Sequence, residues 1–133
     1  MALLVPDVGE AEMLGRILNN TTPDDLVLRL YTNDLTPGES NVIGDYTEAA
    51  GNGYSAITLS GASWTITTTA GSTEGTYAQQ DFVFIGGPVT VYGYHVTNNA
   101  GTILMYAERF IDGPYNIPVG GGTIKITPTI QLE

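Results

Sequence analysis

The sequence predicts a mainly β domain: an antiparallel β-sandwich or jelly-roll-like barrel of roughly eight strands with one short N-terminal α-helix. Three observations predict it. Runs rich in β-branched and aromatic residues recur along the chain, with turn-forming residues between them roughly every 8–12 positions. Apolar residues at helical spacing occur in one stretch only, close to the N-terminus. Third, Val89 to Phe110 reads as two β-rich runs around Asn98-Asn99-Ala100-Gly101, a β-hairpin with bulky groups on both faces. A strand that is apolar on both faces belongs inside a sheet and covered on both sides.

The helix comes first. Asp7 stands as its N-cap with Glu10 three positions on, in the manner of a capping box. Ala11, Leu14, Ile17 and Leu18 then make one apolar stripe, expected to pack on the chain's own sheet, with contact to a neighbouring subunit as the alternative, and Arg16 lies toward the negative end of the dipole. Leu26 to Thr32 is the first strand, with Leu26, Leu28 and Leu30 inward and Val27, Arg29 and Tyr31 outward. Asn33 to Asp45 is a long polar loop with a turn at Pro37-Gly38. A short extended piece, Tyr46 to Ala50, leads to the turn Gly51-Asn52-Gly53, residue types that accept positive φ cheaply. Tyr54 to Ser60 and Ser63 to Thr69 follow as strands, the second with Trp64 and Ile66 opposed to a threonine face. Ala70 to Gly75 reads as a loop, and Thr76 to Ile85 as a strand with Phe82 and Phe84 on one face. After the hairpin, Tyr115 to Val119 is an edge segment between prolines, and the last strand alternates Ile124, Ile126, Ile130 and Leu132 with threonine, lysine and glutamine.

The 133 residues suit one domain spanning residues 1–133, with an N-terminal arm and helix over about residues 1–20. At 42% hydrophobic residues the chain can build a core although it has no cysteine, which excludes disulfides and thiolate metal sites. Four basic residues against fourteen acidic ones give a formal net charge of -10. Such a surface repels phosphate backbones and anionic lipids, so neither nucleic acid nor membrane is expected as a partner. The apolar leader Met1 to Val5 is too short for a signal peptide, and no run approaches the ~20 apolar residues of a membrane span.

Catalytic chemistry finds few candidates. His95 is the single histidine and lies inside the central hairpin, where a structural imidazole is favoured over a general base. Asp81 and Glu108 both fall in strands, but paired carboxylates need a cleft between them. The loop acids Asp34, Glu39 and Asp45 match no EF-hand spacing and read as solvated carboxylates. No enzyme activity, cofactor or metal is expected.

Three stretches carry a resemblance: Leu4 to Asn20 (LVPDVGEAEMLGRILNN), Leu26 to Glu39 (LVLRLYTNDLTPGE), and Thr90 to Thr97 with Leu104 to Phe110 (TVYGYHVT, LMYAERF). Here the chain resembles small structural proteins of tailed bacteriophages, over nearly its whole length. The resemblance implies a virion component, and within that class a head decoration (cement) protein on the outer surface of the capsid. Its partners would be the major capsid protein or another virion protein and further copies of itself, with a homotrimer expected. The contact residues expected are Leu3, Leu4 and Val5 in the leader, Leu14 on the helix, and Asp34, Leu35 and Pro37 in the long loop. A tail or neck component is the alternative, as is a carbohydrate-binding module of a host-recognition fibre that stacks Tyr31, Tyr46, Tyr54, Tyr115 or Trp64 on sugar rings.

Overall fold

A computed structural model describes residues 3–132; Met1, Ala2 and Glu133 lie outside the described residues. One helix, α1 (Asp7–Ile17), precedes eleven short strands: β1 (Leu26–Tyr31), β2 (Ile57–Leu59), β3 (Thr65–Thr69), β4 (Ser72–Thr76), β5 (Gln80–Phe84), β6 (Val89–Val91), β7 (Gly93–Thr97), β8 (Leu104–Arg109), β9 (Tyr115–Ile117), β10 (Gly122–Ile126) and β11 (Thr129–Leu132). All pairings are antiparallel, in sheets ordered β2-β1-β7-β8, β10-β5, β11-β4-β3 and β6-β9. The protein is mainly β, and among the described residues no sheet closes into a barrel.

The central hairpin forms the middle of the largest sheet. β7 is buried at every position and pairs with β1 on one side and β8 on the other. The run expected to start at Val89 divides at Tyr92, and β6 leaves to pair with β9 instead. β1 departs from its expected pattern as well. Tyr31 and Val27 are buried along with Leu28 and Leu30, and over Tyr31 the cover is the long loop, which folds across the second face of the sheet. There Tyr31, Tyr46, Leu104 and Ala107 form a small core of their own, with Leu35, Ile43 and Tyr92 packed against it. The larger core, on the opposite face, gathers Leu28, Leu30, Leu59, Phe82, Phe84, Val96 and Tyr106 among others.

Several expected strands are shorter than their sequence runs, for local reasons. The β1–β2 ladder stops at Leu28↔Ile57. Beyond it the Leu30 N–H donates to the Tyr54 hydroxyl (3.1 Å), and the Leu30 carbonyl accepts the Ala49 N–H (2.9 Å). Segment 47–49 thus takes over that edge of β1. The last strand divides at Thr127-Pro128, since proline has no N–H to offer a ladder; its carbonyl accepts the Tyr77 N–H at 2.9 Å. β4–β5 and β10–β11 are therefore one long two-stranded ribbon with a bend, to whose far end β3 adds a third strand. The stretch expected as the loop Ala70–Gly75 is mostly β4. The turn is only Ala70-Gly71, both at positive φ (25° and 88°), with Thr69 paired to Ser72 across it.

The helix also turns out differently from its expected orientation. Pro6, not Asp7, occupies the N-cap, and no side chain caps the end. The stripe Ala11, Leu14, Ile17 and Leu18 faces solvent. Gly9 is the buried position, and a Cβ there would collide with the Met105 carbonyl of β8. Close backbone approach at Gly9 sets which side of α1 meets the sheet, and so turns the leucine–isoleucine side outward.

Tyr106 of β8 is wholly buried and its hydroxyl has no hydrogen-bond partner among the described residues. A buried unpartnered hydroxyl costs about 1–3 kcal/mol in lost hydration. Tyr106→Phe is therefore expected to stabilise the fold by about 1 kcal/mol, read as a higher urea midpoint with an unchanged m-value. A lower midpoint would mean that the hydroxyl is satisfied in solution.

Candidate contact surface

The expected contact residues gather around β8 but divide into inward and outward sets. Leu4 bridges Ala107, each N–H donating to the other's carbonyl at 2.9 Å. Leu3 and Val5 pack, partly buried, against the main core. The leader thus acts as a short extra strand on the outer edge of β8. The loop lies beside it, its Glu39 carbonyl accepting the Asp7 N–H at the start of α1 (2.9 Å). Pro37 is buried and Leu35 packs on the Tyr31–Tyr46 cluster. Asp34 stays exposed and pairs with Arg109 at 2.6 Å, while the Arg109 guanidinium lies 5.2 Å from the centre of the Tyr92 ring.

Of the seven, Leu14 is the apolar side chain that points outward. It is 56% exposed, beside Ile17 at 78% and Leu18 at 68%. These residues are spaced i, i+3, i+4 and share one helix face. The helix beneath them is held firmly. Gly9 seats its first turn on β8, and Arg16 ties its last turn to Glu12 (3.0 Å) and to Asp24 (2.5 Å). The result is an anchored apolar face bordered by carboxylates.

His95, by contrast, is a core residue. It is 1% exposed, stacks on Tyr46 with ring centres 5.0 Å apart, and stands opposite Arg29 in the β1–β7 register. Burial, and then the Arg29 guanidinium, hold its pKa down to about 3. Arg29 itself is committed to Glu48 (2.9 Å) and the Thr97 hydroxyl (3.1 Å). The imidazole is thus a neutral aromatic wall without access to a substrate. Glu108 stands opposite Tyr94 in β8, and burial raises its pKa. Asp81 stands opposite Lys125 on another sheet and pairs with it at 3.3 Å. Among the described residues no three histidine or acidic side chains converge to hold a metal ion.

Of the aromatic residues considered for sugar stacking, Tyr31 and Tyr46 are buried, and Trp64 packs edge-on against Tyr77 at 5.3 Å. Tyr54 stacks between Phe82 and Phe84. Tyr115 borders an open groove of about 710 Å³ between β9 and β10, with one ring face stacked on Phe110 at 4.5 Å. Sequence reasoning missed this groove because it arises where two consecutive strands splay apart instead of pairing. No family model, no curated protein and no solved structure matches this chain.

Proposed function

We propose that this chain is a structural protein of a tailed-bacteriophage particle, a non-enzymatic decoration protein that binds the outer surface of the head as an oligomer. The observation that carries the reading is the anchored apolar face of α1, with Leu14, Ile17 and Leu18 more than half exposed on a helix whose opposite side is fixed to β8. Large apolar groups held in the open on a rigid element are surface that association would bury. The resemblance to small phage structural proteins supplies the kind of partner, a capsid shell. The net charge of -10 suits a location outside the shell, away from packaged DNA. We read the four sheets as an open, sandwich-like scaffold that presents this face.

Cosedimentation tests the reading. Purified protein mixed with phage heads that lack it should pellet with them, and Ile17→Asp should weaken binding at least tenfold while leaving the circular dichroism spectrum unchanged. A buried isoleucine replaced by a charge within an interface costs well over the ~1.4 kcal/mol that a factor of ten represents. No cosedimentation of the parent protein would end the proposal. Binding to isolated tails instead of heads would favour the neck or tail alternative.

A further inference from the structure

We propose that β3 is a pairing edge through which two copies of this chain join into one continuous sheet. β3 is hydrogen-bonded on one side only, to β4, in an unbroken register from Thr65↔Thr76 to Thr69↔Ser72. All five of its residues are exposed. Sheets that stay monomeric guard such edges with lysine, proline, bulges or a covering segment. One other edge of this protein is guarded in that way, since β8 is covered by Leu4 and α1. β3 reads Thr-Ile-Thr-Thr-Thr and has none of these features.

Two further observations identify the occupant as a second copy. The β11-β4-β3 sheet has one polar face, with Thr65, Thr67, Glu74 and Gln131, and a more apolar face, with Ile66, Ile130 and Leu132 beside Thr68 and Thr73. At the outer end of the apolar face Ile66 and Leu132 are 74% and 68% exposed. In addition, no Asp, Glu, Lys or Arg occurs from Ala49 to Thr73 in a chain of net charge -10. Acidic copies repel one another wherever carboxylates would meet. They can approach without opposing charge along this stretch, and depletion of charge marks the centre of interfaces. A basic partner would instead be drawn to the carboxylates, which β3 lacks.

Antiparallel pairing about Thr67 sets Thr65 opposite Thr69 of the second copy, and Ile66 opposite its Thr68. Both Ile66 side chains then fall on the apolar face of the joined sheet. The contact is isologous and closes on itself, giving a two-fold pair in place of the trimer expected from the resemblance. It does not depend on the virion reading, since it concerns the isolated protein.

The chain has no cysteine, so Thr67→Cys introduces a single thiol per copy. Across an antiparallel pair the two Cα atoms would lie roughly 4.5–5.5 Å apart, within disulfide reach. Light scattering of the parent protein should give twice 14.1 kDa. Mild oxidation should crosslink Thr67→Cys nearly completely, and the exposed control Thr123→Cys should stay uncrosslinked. Thr67→Lys should raise the dimer dissociation constant at least tenfold with an unchanged circular dichroism spectrum. A parent protein that remains at 14.1 kDa to millimolar concentration would overturn the proposal. So would a dimer that survives Thr67→Lys without crosslinking at position 67, equal crosslinking of both cysteine variants, or open-ended growth into filaments.

Discussion

Gly93→Ala is expected to destabilise the fold by about 3 kcal/mol or more, lowering the melting temperature by roughly 10 °C. Gly93 opens β7 and pairs with Tyr31 of β1 on one side and Arg109 of β8 on the other. A Cβ at this position would collide with the Glu108 carbonyl and with the Tyr31 ring. The carbonyl belongs to a strand of the central sheet and cannot move alone. The ring is fixed as well, because its hydroxyl donates to the Leu35 carbonyl at 3.1 Å and Tyr46 packs edge-on against it at 5.0 Å. Alanine in place of glycine stiffens the unfolded chain, which favours folding by about 0.4–1 kcal/mol. That gain is smaller than the cost of forcing apart a buried sheet and the ring packed on it. Thermal unfolding of the variant measures the balance, and an unchanged midpoint would show that the second core is loosely packed.

The second large effect is acid destabilisation through His95. Its folded pKa is held to about 3, first by burial and then by Arg29, against roughly 6.5 in an unfolded chain. Between those values the unfolded chain binds a proton that the folded chain excludes. The contribution of this residue is therefore complete above about pH 6.5 and is lost as pH falls toward the folded pKa. The slope can reach about 1.4 kcal/mol per pH unit. The groups that face the imidazole offer it no relief. Arg29 is cationic, and its partner Glu48 is already paired with that guanidinium at 2.9 Å. Tyr31 and Tyr46 present aromatic rings, and burial raises the pKa of both phenols. His95→Phe keeps an aromatic ring on Tyr46 and removes the titration. Urea unfolding between about pH 4 and 7 should show stability falling more steeply with acid in the parent than in the variant. Parallel curves would mean that His95 takes up a proton within the folded protein.

Of these two effects, the burial of His95 was legible in the sequence, whereas the close contacts at Gly93 were not. Buried strands announced themselves through bulky residues on both faces, so the hairpin from Val89 to Phe110 and the burial of His95 were readable. Phe82, Phe84, Ile124 and Ile126 were readable by a different sign, the alternation that marks a single inward face. Exposed strands carry no such mark. β4, Ser-Thr-Glu-Gly-Thr, has the composition of a loop and is a strand only because β3 and β11 pair with it on either side. The helix was found but turned the wrong way. Its apolar stripe suggested a buried face, whereas a steric requirement at Gly9, set by a carbonyl about a hundred positions away in sequence, decides which side meets the sheet. The contact residues followed the same pattern. Leu35 and Pro37 fell inward because the loop had a second sheet face to cover, and Leu14 was left outside with Ile17 and Leu18.

The most direct test of the proposal that this protein acts by surface contact on a phage head is an image reconstruction of the phage particle. Density matching the β domain should lie outside the capsid shell, with the Leu14–Leu18 face of α1 turned toward a neighbouring protein. A shell bare of this density, or density in which that face lies open to solvent, would contradict the account.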